Sequence, residues 1–574
     1  MTSSSWPRPV PLLGDTTSSS ERSADPTGWK FPDDAISNLF SVISSRRDIR
    51  RFRADPISAE ILQQVLLAGH LAPSVGHSQP WRFIVVDDPL IRQQAALFAD
   101  KERMRQASLL APDSAQRLLD LQLEGIREAP IGIVVCCDRR VPAAGVLGRA
   151  TFPDTDMWSV ACAIENIWLT ARAHGLGLGW VTLFNPTDLS ELLSLPQGVE
   201  TLGWLCIGWP DERPPKPGLE RVGWSKRMPL EDVIFYNSWP DASRDPISPR
   251  SHLKIPIGEE IVSVRDTTDT FLTTPGSLGV IDRAVDRIEN CMHPHARSAL
   301  LLIAASDHSV TRYEISAYAP AITHEIFEAT SDGVSLGASL AKSCGLDIEL
   351  VNAGVQNTSI DLSNRGDLVT SAALTVDECH QLMELGRSTM TKLSKTHGIV
   401  ALGEIGIGNT TVASTLAAAL LKISATDAVG LGSSADATII ERKIWVVEKA
   451  LSRVNAIDPI SILQEFSGGE FAFMVGAILE AARLRVCIIL DGLATTVAAL
   501  LACRIEPAVQ AILIAGQKSR EKVHGLILQE LGLEPILDLR IRSGEGAGAT
   551  LAANLLLATL KSRALVARTQ TERE

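Results

Sequence analysis

A polar, proline-rich break near the middle of the chain separates two halves with different apolar patterns. It lies between Trp239 and Pro275 and opens with Pro240-Asp-Ala-Ser-Arg-Asp-Pro-Ile-Ser-Pro-Arg, a linker-like composition. No repeat relates the halves, so two different folds are expected. At 574 residues the chain is also too long for one ordinary domain. The expected division is a disordered leader over 1–32, a first domain over 33–239, a linker over 240–269, a second domain over 270–565 and a tail over 566–574. A second proline patch, Pro210–Pro217, reads as a surface loop of the first domain.

The first half mixes helices and strands without regular alternation. Helices are expected over Asp33–Ser45, Ser58–Ala72 (Ser58 as N-cap) and Met157–His174, with a long helical stretch over Leu90–Glu128. Strands are expected at Arg82–Val86, Ile131–Cys136, Gly179–Leu183 and Gly203–Gly208, which makes the half α+β. In the second half, apolar runs at Ala299–Ala304, Asp347–Val351, Gly398–Ala401, Val486–Leu490 and Ala511–Ile514 alternate with small-residue helices. They read as buried parallel strands of a doubly wound α/β domain, with glycine loops where such sheets place ligands.

Composition removes several function classes. The net charge of -13 leaves no basic footprint for nucleic acid. Nine scattered cysteines without Cys-x-x-Cys make neither a disulfide framework nor a structural zinc site, and no metal is expected. The Ser/Thr/Pro-rich start lacks the pattern of a signal peptide. Asp491 interrupts the apolar run Val486–Ala502, and Ala549–Leu560 is too short to span hydrocarbon. No membrane span is expected, and the cytoplasm is the default location. His293-Pro-His295 reads as loop, and Cys487 as core.

Two constellations carry chemistry. In the first, Arg46-Arg47-Asp48-Ile49-Arg50 is either a solvated charge cluster or an anion clamp, since Arg binds phosphate in a forked geometry. Ala72-Pro-Ser-Val-Gly-His-Ser-Gln-Pro-Trp81 supplies a small-residue loop with polar amides. Gly175-Leu-Gly-Leu-Gly179-Trp180 allows close backbone approach to a flat ligand, and Gly223-Trp-Ser-Lys-Arg227 adds charge. With Leu123-Glu-Gly-Ile-Arg127, Ala129-Pro130, Val146-Leu-Gly-Arg149 and Gly179-Trp-Val-Thr182, this half resembles the flavin-dependent nitroreductase superfamily over about 33–239. Within it the resemblance is to 5,6-dimethylbenzimidazole synthase, which fragments reduced FMN with molecular oxygen. The resemblance implies that Arg46, Arg47, Arg50 and Arg227 hold the FMN phosphate or ribityl chain and that Ser74 and Gln79 contact the flavin. Asp48 would move the proton during loss of the ribityl fragment, kept ionised by its arginines. Thr182 stands where the family usually carries Ser near the flavin. The stretch Leu90–Glu128 would be a lid leaving little room for a nicotinamide, so a separate flavin reductase is implied; it reads equally as a dimer-forming helical excursion, and the two are not exclusive. A homodimer is expected as well.

In the second, Leu402-Gly-Glu404-Ile-Gly406-Ile-Gly408-Asn409-Thr410-Thr411 follows an apolar strand and opens a helix over Thr411–Lys422, either plain turn chemistry or a backbone cradle for an anion. Gly544-Glu545-Gly546-Ala-Gly548 frames a carboxylate with glycines before another helix: either an electrostatic cap of that helix, or a general base with room for a ligand beside it. With Pro275-Gly-Ser-Leu-Gly279, Asp307-His308, Ile315-Ser-Ala-Tyr318, Gly468-Gly-Glu470, Asp491-Gly492 and Leu537-Asp-Leu539, this half resembles nicotinate-nucleotide–dimethylbenzimidazole phosphoribosyltransferase over about 270–565. That resemblance implies exchange of the nicotinate of nicotinate mononucleotide for 5,6-dimethylbenzimidazole. Glu545 would take the base proton and Glu404 would orient substrate. Gly406, Gly408, Asn409, Thr410 and Lys443 would bind phosphate, and Ser316 and Tyr318 would line the base pocket. Departures from the family pattern are Ser309 for a glycine, Ser433 and Ser434 in a second glycine loop, and Gln517 for a histidine. The implied function is bifunctional, making the cobamide lower ligand. The alternatives are a conventional flavin reductase fused to a transferase for another base, or a non-catalytic ligand-binding second half.

Overall fold

The computed structural model describes residues 24–119, 125–221, 223–237, 239, 251–274, 276–356, 366–430, 432, 437–454 and 458–568. The chain forms two compact units that part between Pro240 and Asp241. Most of the expected leader, the first part of the expected linker, and Leu123, Glu124, Pro275, Ser433 and Ser434 lie outside the described residues.

The first unit is built on four strands, β1 (Trp81–Val86), β2 (Ile131–Asp138), β3 (Gly177–Val181) and β4 (Val199–Gly208), in the order β1-β2-β4-β3. All three pairings are antiparallel. Alternate residues of β2 enter opposite layers. Ile133, Val135 and Cys137 pack with Val160, Ile164 and Ile167 of helix Thr155–Ala173, whereas Val134 and Cys136 join Ala95, Ala96 and Ala99 of helix Pro89–Ala107. Gly132 admits the buried Trp204 indole, which would lie 2.2 Å from a Cβ there. Ser58 caps helix Ala59–His70 by accepting the Ile61 N–H at 3.3 Å, as expected. The long helical stretch divides into Pro89–Ala107 and Pro112–Leu119.

The second unit carries β5 (Ala299–Ala305), β6 (Asp347–Asn352), β7 (Ile399–Ile405), β8 (Cys487–Leu490) and β9 (Leu513–Ala515), all parallel, in the order β6-β5-β7-β8-β9. The expected doubly wound sheet is present, with one correction. The run at Asp347–Val351 is an edge strand, only partly covered, because no strand follows it in the sheet. Helix Gly469–Leu484 is buried from Gly469 to Ala482 and crosses helix Val376–Leu393 at close range. Gly476 and Gly386 permit that crossing, since a Cβ on Gly476 would meet the Met383 carbonyl at 2.0 Å and one on Gly386 the Phe473 carbonyl at 2.1 Å. The chain passes from β5 to β6 on one side and then crosses to β7 on the other, so β5 and β7 flank the topological switch point at which open α/β sheets bind ligands. Before β5, helix Gly258–Asp269 forms inside the expected linker, and Glu506 accepts the His252 N–H at 2.8 Å.

Candidate functional site

The residues expected to act in the second half meet in one cleft. Ser316, Tyr318, Glu404, Gly406, Gly408, Asn409, Thr410, Lys443 and Glu545 all line a space of about 520 Å³ beyond the carboxyl ends of β7, β8 and β9.

Glu545 precedes helix Ala547–Arg563 with φ at 61°, a left-handed conformation unusual for a residue with a side chain. Its N–H donates to the Glu404 carbonyl at 3.1 Å, and its Oε2 accepts the Gly337 N–H at 2.9 Å. Gly403 makes the approach possible, because a Cβ there would lie 2.5 Å from the Gly546 nitrogen. Glu404 is near the end of β7. Its Oε1 accepts from Asn409 Nδ2 at 3.1 Å, and its Oε2 is buried with no hydrogen-bond partner. Burial drives its pKa well above the ordinary 4.5, and the charges of Asp491, Glu470 and Glu545 push the same way.

Asp491 was not among the expected site residues. Its Oδ1 accepts from Gly548 N–H at 2.7 Å, Ala549 N–H at 3.0 Å and Gln517 Nε2 at 3.2 Å. Those donors favour the anion, yet burial outweighs them and carries its pKa to about 7. The signal was in the sequence: an acid followed by glycine just past an apolar parallel strand lies where such sheets gather ligands. Gln517, a departure from the family pattern, proves to be an amide donor to that acid. Ser309, another departure, ties its loop to the Gly366 carbonyl at 2.8 Å.

At the end of the cleft expected to bind phosphate, Gly408 caps helix Asn409–Leu421 with φ at 99°, aiming helix N–H groups into the cleft. Lys443, on helix Ala437–Arg453, is buried with Nζ 3.4 Å from Thr410 Oγ1. Burial lowers its pKa, and the facing Glu521 opposes that shift. Glu521 accepts the Gly432 N–H at 2.8 Å and also lines the cleft. Behind the glycine loop, His308 Nε2 approaches Glu470 Oε1 to 2.7 Å, an ion-pair distance without hydrogen-bond alignment.

In the first unit, Asp48 bridges to β3 beside Leu178. Its carboxylate contacts the Arg50 guanidinium and accepts the Trp180 N–H at 3.3 Å. The arginines are expected to keep it ionised, and burial works against them. Although 41% of its side-chain surface stays accessible, the protein packed around the carboxyl raises its pKa, burial outweighing Arg50. Arg46 stacks on Trp168 at 4.4 Å, and Arg47 donates to the carbonyls of Ser44, Arg46 and Pro215. Ser74 Oγ accepts the Gln79 N–H at 3.1 Å, and Gln79 is itself left-handed at 47°. Thr182 follows β3 and is exposed, as is Arg227. A cleft of about 830 Å³ is lined by Arg47, Trp168 and Gly175–Leu178, and does not include Asp48, Ser74, Gln79, Thr182 or Arg227. Among the described residues, no group of three or more His, Cys, Asp or Glu could hold a metal ion, and no helix is long and apolar enough to cross a membrane.

Residues 259–571 match the phosphoribosyltransferase family model, and residues 43–209 match the nitroreductase family. A 5,6-dimethylbenzimidazole synthase of Rhodospirillum rubrum is 43% identical over 205 residues, 35% of this chain and 96% of that protein. The nicotinate-nucleotide–dimethylbenzimidazole phosphoribosyltransferase of Deinococcus radiodurans is 34% identical over 305 residues, 50% of this chain and 84% of that protein. The chain belongs to both families. It joins a dimethylbenzimidazole synthase-family unit to a phosphoribosyltransferase-family unit, both enzymatic and both of cobamide lower-ligand biosynthesis. The crystal structure of CobT from Thermus thermophilus superposes with a TM-score of 0.51 at 29% identity, covering 54% of this chain and 98% of that one.

Proposed function

We propose that this chain performs two consecutive reactions. The unit over 33–239 consumes reduced FMN and oxygen to release 5,6-dimethylbenzimidazole. The unit over 270–565 transfers ribose 5-phosphate from nicotinate mononucleotide to that base, giving α-ribazole 5′-phosphate and nicotinate.

The observation that carries the transferase reading is the single cleft holding Glu545 at one side and the Gly406–Thr410 loop with Lys443 at the other. A ribosyl phosphate fits between a base-side carboxylate and a phosphate-side cradle. Glu545 removes the benzimidazole N–H proton while the lone pair of the other ring nitrogen forms the bond to C1′. The bond from C1′ to nicotinate breaks, and its electron pair leaves with the nicotinate nitrogen. Asn409 and Glu404 orient the sugar, and Ser316 and Tyr318 flank the base.

In the first unit, the residue types suit a flavin phosphate and ring: guanidinium groups of Arg46, Arg47, Arg50 and Arg227, and the hydroxyl and amide of Ser74 and Gln79. Arg47 Nε is buried without a hydrogen-bond partner, a donor still available. Asp48, its pKa raised, accepts a proton more readily than an ordinary aspartate. Thr182 supplies a hydroxyl next to β3. Reduced FMN comes from a separate reductase. A second copy of the chain completes the flavin site, supported by the apolar exposure of helix Asp33–Ser45, where Phe40 is 65% accessible. No metal takes part, and the protein works in the cytoplasm.

Separate assays test the halves. Nicotinate mononucleotide with added 5,6-dimethylbenzimidazole is expected to yield equal amounts of nicotinate and α-ribazole 5′-phosphate. Chemically reduced FMN in air is expected to yield the benzimidazole. Absence of either product removes the corresponding reaction.

A further inference from the structure

Glu404 has an unusual combination of contacts. Asn409 donates to its Oε1 at 3.1 Å, so that oxygen is an acceptor. Its Oε2 is buried and without a partner, and Glu404 is one of the residues that line the cleft. A carboxylate oxygen desolvated with no donor is costly, whereas a hydroxyl in the same place is satisfied by any ligand acceptor. The groups facing it are acidic from several directions: Asp491 past β8, Glu545 before the last helix, and Glu470 at the start of helix Gly469–Leu484. Of the basic groups, His308 lies 2.7 Å from Glu470, and Lys443, Arg520 and Arg542 line the same cleft as Glu404. Glu404 also lies between Glu545, whose N–H its carbonyl accepts, and Asn409 of the phosphate loop. The part of a nucleotide opposite it is therefore the sugar.

We propose that Glu404 acts as a neutral carboxylic acid, its Oε2 hydroxyl donating a hydrogen bond to a ribose oxygen of the substrate. This rests on the transferase reading above and adds a protonation state and a direction of donation. The raised proton affinity of Glu404 is in keeping with it.

Glutamine discriminates the neutral acid from an anion, because its Oε1 still accepts from Asn409 and its amide still donates. Glu404→Gln is expected to slow transfer by no more than about tenfold, and Glu404→Ala by on the order of a hundredfold or more. The fall in transfer rate at high pH, where wild-type Glu404 ionises, should disappear in Glu404→Gln. A glutamine variant as impaired as the alanine one would overturn the assignment. A second readout needs no substrate. The infrared difference between ligand-free wild-type chain and Glu404→Gln at neutral pH should contain a protonated-carboxyl band, and a carboxylate band in its place contradicts the assignment. That measurement stands even if no ribosyl transfer occurs, so the two readings fail separately. If Glu404→Gln does not fold, Glu470→Gln serves. Removing that charge should move the alkaline limb to lower pH, and an unmoved limb overturns the assignment.

Discussion

Glu545 rests against Gly337: its Oε2 accepts the Gly337 N–H at 2.9 Å, and a Cβ added to Gly337 would stand 2.6 Å from the Glu545 Cβ. The same added atom would lie 2.4 Å from the Glu545 carbonyl oxygen, which is backbone and cannot swing aside. Helix Leu336–Ser343 thus positions the carboxylate while remaining outside the reaction. Gly337→Ala should displace Glu545 and lower kcat for ribosyl transfer by more than about tenfold, since a misplacement of about 1 Å is costly in catalysis. Its effect on the KM for nicotinate mononucleotide should be small. Steady-state kinetics with added benzimidazole distinguishes the two, and an unchanged kcat would mean that the contact does not position the base.

Removing the base itself tests its role. Glu545→Gln keeps size and the capacity to accept from Gly337, but a neutral amide cannot take the proton. Transfer should fall on the order of a hundredfold or more, the usual span of general-base catalysis. Benzimidazole formation from reduced FMN should be unaffected. Unchanged transfer would assign the proton to another group, with Asp491 the nearest alternative by its shifted pKa of about 7.

Lys443 reaches the proposed phosphate end from a buried position, so its loss should act on binding. Lys443→Met preserves the buried stem and removes the charge. The KM for nicotinate mononucleotide should rise roughly tenfold to a hundredfold, the range of a charge-assisted hydrogen bond. Nicotinate riboside, which lacks the phosphate, should be used equally poorly by both proteins. A parallel loss on the riboside would show that Lys443 serves the fold and not the phosphate.

Much of this site was legible in the chain because it is local. The segments Gly403–Thr410 and Gly544–Gly548 each end a strand or open a helix, and each keeps its carboxylate beside glycines that permit close approach. Asp491 was less visible, since its role depends on meeting Gly548 and Gln517 from other segments. The edge position of β6 had a signal that was passed over: Asp347 and Glu349 alternate with Ile348 and Leu350, the pattern of a half-covered strand, and the sheet order puts it at the edge. In the first unit, the helices and strands follow period and capping. The direction of the Asp48 shift does not, because charge can be counted along Arg46–Arg50 whereas burial depends on β3 and the packing around it.

Asp48→Asn tests the first unit. It retains the N–H contact from Trp180 and loses the ability to accept a proton. FMN binding, followed by flavin fluorescence, should persist, while benzimidazole formation should fall on the order of a hundredfold or more. Normal benzimidazole production would remove Asp48 from proton transfer.

His524 offers a stability prediction with a defined sign. Its Nδ1 accepts the Ser519 N–H at 3.1 Å and its Nε2 lies 3.1 Å from Thr496 Oγ1, which makes it neutral with the proton on Nε2. Burial lowers its pKa from 6.5 to about 4. The unfolded chain therefore binds more protons between those values, and stability falls as pH drops through that window. The contribution is complete above pH 6.5 and lost progressively toward about 4. In chemical unfolding of the full chain, His524→Gln should flatten the dependence across this range. An unchanged slope would mean that other groups control acid unfolding.

The most direct measurement supplies the purified chain with chemically reduced FMN, isotopically labelled in the benzenoid ring, together with air and nicotinate mononucleotide. Mass spectrometry then follows the label. Two active units predict α-ribazole 5′-phosphate carrying the label in its base, formed with nicotinate and with no benzimidazole added. Unlabelled product, or no product even when 5,6-dimethylbenzimidazole is supplied, would contradict the account.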